Sequence, residues 1–557
     1  MVLLLLIVSI SVALTTPVVQ TAIAQYASKK INEEFNMNTS IGMVALRIDG
    51  NVILKNVSVR DDHKNTLGKI GKLHTNILDF NKLINGQLFF GSTKVEKLDF
   101  HIHTYKGDTI SNLDKFIAVI DDGKPGSGKF LMKINHIEVE NGSFSITDDN
   151  NKNPKTLDFT NLNGSLDNLL IKGPNISANI TKLNFDDHHG FHVKDLKTDF
   201  SMTKTSMDIA NLNLETKDSQ LKGSIKMNYA EGDLKYFVDK VNLDIDIEKS
   251  ILATNELHNF YNEFGKNKKL YLKTKLKGTL NKFTLSNTNL TDDLNSQIRG
   301  SFDFTNLLDK TKEFKIFTQL ERLYISRENA VSLLPNVLGK SLPDQLSTLG
   351  MIDLNGTIQY TNFTLDADFN AISNLGKATA ILSMQQLNKP KLATYYGEIN
   401  LDNFNIGNLI SQSNIGATSL NLIVDGKGFD AESLDTNVSG AIHSFVFNNY
   451  NFKDIEIDGN LKWPQYQGSL ISKDVNALID FDGNIDFSSK TKAVDFKLDV
   501  EHINLHALKF VKDSISEFKG NIVLNATGNS IDDFAGSLHV ENAFYQNSED
   551  QFFFDNF

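Results

Sequence analysis

KINHIEVENGSFSIT, residues Lys133 to Thr147, decides the fold class. Apolar and polar positions alternate along it, the period of a strand with one dry and one wet face. The central Asn141-Gly142 suits the two positive-φ positions of a type I′ turn. A hairpin is therefore expected, with Val139 opposite Phe144 and Ile137 opposite Ile146. A second device, apolar-Asp-Gly-Asn, recurs at Ile48–Asn51, Ile457–Asn460 and Phe481–Asn484. As three-residue loops these would pair Ile48 with Val52, Ile457 with Leu461 and Phe481 with Ile485. A third unit, apolar-x-Gly and then a small polar residue, appears as LKGS (Leu221–Ser224), IRGS (Ile298–Ser301) and LNGT (Leu354–Thr357). Its spacing is irregular, which excludes a propeller or a strict solenoid and leaves degenerate repetition of hairpins.

The 557 residues exceed one ordinary core, so several domains or one long array are expected. At roughly 10–12 residues per strand and turn, the body would hold about 40–50 strands. A net charge of −12 argues against nucleic acid as a partner, because phosphate binding needs a basic face. Cysteine is absent, removing disulfides and thiolate chemistry. Trp463 is the single tryptophan beside 38 phenylalanines, which supply apolar area without a polar atom to satisfy.

Met1 to Ser28 contain no Asp, Glu, Lys or Arg, and Val2 to Leu14 is almost wholly aliphatic. With Leu3, Leu4, Leu5, Leu6, Ile7 and Val8 at its heart, the segment is long enough for a membrane anchor. Pro17 interrupts it, and Ala22-Ile23-Ala24 also resembles a signal-peptidase site. The retained anchor is the preferred reading, and in both cases the body is exported.

Helical spacing is confined to Ser111–Asp121, Glu256–Phe264, Ala330–Leu349 (divided by Pro335 and Pro343) and Leu505–Ile515. No catalytic motif is visible, and no enzyme activity or cofactor is expected. GKPGSGK, Gly123–Lys129, lacks the spacing of a phosphate loop. The densest ligand cluster, Asp186 to His192 (DDHHGFH), sits on a Gly-centred turn where solvated polar residues collect, so no metal centre is expected. His101 and His103 belong to a polar outer face.

So few helices cannot cover the dry face of so much sheet. The expected fold is mostly β: an N-terminal membrane helix, then an elongated, curled antiparallel sheet forming a taco-like groove of degenerate repeats, with a few short helices. Groove-lining candidates are Ile137, Val139, Phe144, Ile146, Ile479, Phe481, Ile485 and Phe487.

Three stretches carry a family resemblance: Val18–Leu67, which opens VVQTAIAQYASKKINEEF; Leu78–Phe116 (LDFNKLINGQLFFGSTKVEKLDFHIHTYKGDTISNLDKF); and Asp121–Asp148. In this order, behind the anchor, they resemble the N-terminal part of the AsmA-like superfamily. The likeness is greatest to TamB-like inner-membrane subunits of the translocation and assembly module, Bacteroidota type. The resemblance implies residues 1–28 as anchor, 29–130 as an AsmA-like β/helix region, and 131–349 and 350–557 as groove repeats continuing beyond this C-terminus. It further implies a single-pass inner-membrane protein with its body in the periplasm. There it would move phospholipid to the outer membrane or assist protein assembly, with an outer-membrane barrel as a possible partner through a region not recognised here. The alternative is a secreted or surface-anchored, adhesin-like β protein whose apolar faces close on each other.

Overall fold

The computed structural model describes the chain apart from residues 1–8, 11, 14, 36–37, 48, 85–86, 121–129, 151–154, 310, 340–341, 431, 488–490, 530–532 and 534. Among the described residues 28 strands belong to one sheet, from Asn38–Leu46 to Gln551–Asn556, accompanied by a few short helices. Apart from the last, the strands alone take 9 to 18 residues, so strand plus connection exceeds the roughly 10–12 residues expected and there are fewer of them. Two compact units divide the chain, Met1–Leu285 and Ser286–Phe557. The division falls inside the strand Lys282–Asp292.

In the first unit the helix Pro17–Phe35 precedes the sheet. Pro17, which interrupts the apolar run in sequence, stands at the first helical position, where its missing N–H costs nothing. Ala24 is 1% exposed and packs with Val44 and Val52. One turn on, Ser28 Oγ accepts the Ile41 N–H (3.0 Å), and Asn32 exchanges two hydrogen bonds with the Thr39 backbone (2.7 and 2.9 Å). The helix thereby occupies the open edge of the strand Asn38–Leu46, which otherwise presents free backbone groups. No helix among the described residues is long and apolar enough to cross a membrane. Leu3 to Val8 of the expected anchor lie outside the described residues.

Wherever the pairing of successive strands is described it is antiparallel, except at one place. Gln87–Thr104 runs parallel to Leu131–Asp148, with the helix Asn112–Ile120 in the crossover. This corrects the opening expectation. Lys133–Thr147 is no hairpin but the body of a single 18-residue strand. Asn141 takes φ +53° and forms a bulge: Val139 pairs Gly164 and Gly142 pairs Leu162, three steps on one strand against two on the other. Lys97, on the parallel neighbour, bulges alongside at φ +57°. The bulge shifts strand parity by one, so Val139 before it and Phe144 after it face the same side.

Two of the three Asp-Gly turns are also corrected. Ile457–Asn460 and Phe481–Asn484 lie inside the strands Tyr450–Lys462 and Ala477–Asp486. Only Asp49-Gly50 turns the chain, with the Arg47 N–H donating to the Asn51 carbonyl at 2.9 Å; Ile48 lies outside the described residues. The LKGS and IRGS units are kinks within strands. A Cβ on Gly223 (φ +153°) would lie 1.9 Å from the Asp246 carbonyl oxygen, and one on Gly300 (φ +151°) 2.2 Å from that of Gln319. Register shifts at both residues.

Among the expected helices, Asn112–Ile120, Thr254–Phe260 and the proline-divided Arg327–Leu333 and Pro335–Leu338 form. Leu505–Ile515 does not. It makes a single turn started by Asn504, whose Oδ1 accepts the Ala507 N–H, and then open loop. Gly123–Lys129 lies outside the described residues.

Candidate functional site

Strand register carries one apolar face across the second unit. Following hydrogen-bonded partners from Lys315–Ser326 to Ala535–Asn547, one row reads Leu320, Gly356, Phe369, Ala380, Ile399, Leu422, Gly440, Ile457, Leu470, Phe481, Leu498, Ile522 and Val540. The next row on that face reads Thr318, Ile358, Ala367, Leu382, Gly397, Val424, Val438, Gly459, Gly468, Gly483, Phe496, Leu524 and Leu538. Neither row contains an Asp, Glu, Lys or Arg. The row between them, on the opposite face, includes Asp368, Glu398, Asp458, Asp482 and Lys497.

Exposure separates this face from a closed core. Leu320, Ala367 and Ala380 are buried, but Phe369, Ile399, Leu422, Ile457, Leu470, Phe481, Phe496 and Leu498 are only half-buried. Large apolar side chains in the interior of a sandwich would be covered by a second layer. Ile479, Phe481 and Ile485 stand on this face, with Gly483 between the last two. Phe487 does not continue it: it stands just past the strand, 45% exposed, with the Lys492 ammonium 5.5 Å from its ring centroid.

The first unit has its own apolar face. Ile137 and Val139 are buried with Val95 and Ile134, and Leu98, Leu162 and Leu166 pack around them. Beyond the bulge, Phe144 belongs to a file of rings on adjacent strands, Phe100, Phe144, Phe159 and Phe185, with centroids 6.2, 5.8 and 4.3 Å apart. Ile146 pairs with Ile102 and Leu157. The four candidates taken from the imagined hairpin therefore share a face, through a bulge instead of a turn. On the opposite face His101 meets Asp99 (2.9 Å) and Ser145 (2.7 Å), and His103 meets Asp149 (2.8 Å). Glu138 there is exposed, whereas Ser145 is buried beside His101.

One polar cluster escaped the sequence reading because its members are far apart in the chain. At a strand end, the Asp61 carboxylate, 8% exposed, accepts hydrogen bonds from Tyr105 Oη (2.5 Å), Asn112 Nδ2 (3.1 Å) and the Asn65 N–H (2.8 Å). Burial pushes Asp61 upward, but these donors outweigh it and hold the carboxyl below its usual range. Burial and the Asp61 hydrogen bond push Tyr105 up to about 12. A lowered carboxyl stabilises the fold above its unfolded pKa and loses that effect as pH falls. A raised phenol stabilises below 10 and loses the effect as pH climbs towards about 12. Denaturation of Asp61→Asn against the parent should therefore show a stability gap that is flat between about pH 5 and about pH 9 and narrows on both sides. A gap unchanged on the acid side would contradict the assignment.

Compared with known proteins, the chain matches no family model, no curated protein and no solved structure.

Proposed function

We propose that this protein is a non-catalytic conduit that carries phospholipid acyl chains along its apolar face. It would sit across a bacterial envelope, anchored in the inner membrane with its body in the periplasm. The carrying observation is the pair of uncharged, half-buried rows that pass from strand to strand through the second unit. In this reading the sheet curls so that the face becomes a trough, helped by bulges and glycine kinks, which bend and twist strands. An acyl chain laid in it gains about 0.8 kcal/mol per methylene removed from water, while the head group stays in solvent. No side chain need act as acid, base or nucleophile.

Partial exposure of the face supports a conduit over an adhesin-like protein with closed sheets. Ala24 supports a retained N-terminus. Cleavage after it would cut the helix Pro17–Phe35 at the residue packed with Val44 and Val52. An outer-membrane barrel, as a receiving partner, and a role in protein assembly remain part of the proposal on the strength of the resemblance alone.

The test is in-cell photocrosslinking from Phe144 and Phe481, with Glu138 and Asp482 as probes of the opposite face. Mass spectrometry should find phospholipid attached at the first two positions and not at the others. Protein-only adducts from folded material at all four would overturn the reading.

A further inference from the structure

The turn between the strands Asn175–Asp187 and His192–Met202 draws together a carboxylate and two imidazoles. The Asp187 side chain is 4% exposed. One of its oxygens lies 3.2 Å from His188 Nδ1 and the other 2.8 Å from His189 Nδ1. The two rings pack with centroids 3.7 Å apart, and His189 rests against Phe260 at 5.2 Å, where the turn meets the helix Thr254–Phe260.

A second cluster of similar composition, Asp62, His63 and Asp108, shows what distinguishes this one. There the Lys115 ammonium sits 2.6 Å from Asp62 and 2.7 Å from Asp108, so a fixed cation already occupies the centre. Among the described residues no lysine or arginine pairs with Asp187; its ion-pair partners are the two imidazoles. A buried carboxylate without a fixed positive partner is costly to keep ionised. Around a tetrahedral zinc with bonds of about 2.0–2.1 Å, neighbouring donor atoms stand roughly 3.3 Å apart, close to the carboxylate–imidazole separations here.

We propose that Asp187, His188 and His189 form a binding site for a divalent transition metal, with zinc the best match to one carboxylate and two imidazoles. Each imidazole presents an unprotonated Nδ1 to the ion and carries its proton on Nε2. A fourth position is left to water. The bound ion would pin the turn against the Phe260 helix at the end of the strands, independently of whatever the apolar face carries.

Chelator-treated, untagged full chain, titrated with cobalt(II) and followed by visible absorption, tests the site. One cobalt per chain with a tetrahedral spectrum, displaced by zinc, is expected. Asp187→Asn retains an oxygen that can accept the His189 N–H (2.9 Å), so the turn should persist. This variant and His189→Gln should each weaken binding by at least about tenfold, as His63→Gln should not. Thermal melts would establish that the variants are folded. Absence of a cobalt spectrum, or cobalt affinity unaltered in folded Asp187→Asn and His189→Gln, would overturn the site.

Discussion

Replacing Gly223 with alanine is expected to destabilise the first unit by about 3 kcal/mol. Two effects add. Backbone at φ +153° is strained for any residue with a Cβ, at about 1–3 kcal/mol. The new methyl would also stand 1.9 Å from the Asp246 carbonyl oxygen, which belongs to a paired strand and cannot withdraw without breaking the ladder. Gly107→Ala separates the two: its φ is +89°, but nothing lies within 4 Å of the added Cβ, so only about 1 kcal/mol should be lost. Equilibrium denaturation of the three proteins measures the difference. Equal losses in both variants would show that the close strand contact contributes nothing.

If the apolar face carries acyl chains as proposed, a charge placed on it should block their passage without unfolding the protein. Phe481 has Leu470 and Leu498 as partners on either side and the Phe496 ring 5.5 Å away, yet is only half-buried. In Phe481→Asp the carboxylate can reach water, so the fold should persist. An acyl chain crossing that point would lose contact for about three methylenes, roughly 2.4 kcal/mol. Phospholipid captured by a photoprobe at Leu498 should therefore fall roughly fiftyfold, whereas Asp482→Lys on the other face should leave capture unchanged. Undiminished capture in folded Phe481→Asp would exclude an acyl path across this strand.

The strand pattern was legible because alternation is written residue by residue; the places where the chain turns were less so. Asn-Gly favours positive φ both at a hairpin turn and at a bulge, and nothing within Lys133–Thr147 distinguishes them. The deciding fact lies elsewhere in the chain: the parallel partner Gln87–Thr104 pairs along the whole of Leu131–Asp148. Phe481–Asn484 misleads for a different reason. Gly483 lies opposite Gly468, itself opposite Gly459, so these glycines make room for ring side chains beside them instead of turning. Tyr466 approaches Gly459, and Phe496 approaches Gly483. The apolar candidates nonetheless share a face because alternation on either side of a bulge survives intact. Asp61 with Tyr105 and Asn112 was illegible, since only two strand ends and the start of the helix Asn112–Ile120 bring them together.

The bulge at Asn141 makes strand parity behave like a reading frame. Asn141 is a single extra residue, and it sets the phase of all that follows in its strand. Delete it and the bulge is lost, with Val139 and Phe144 then four residues apart and still on one face; one more residue inserted in the strand would instead turn Phe144 and Ile146 to water and Ser143 and Ser145 inward. A one-residue insertion here is thus more damaging than most substitutions, and a compensating deletion later in the same strand would restore only what lies beyond it. Changes in length are tolerable between strands, at turns, or in pairs. Such a chain can change its polar letters and the length of its loops at little cost, while a single residue gained inside a regular strand turns a whole face.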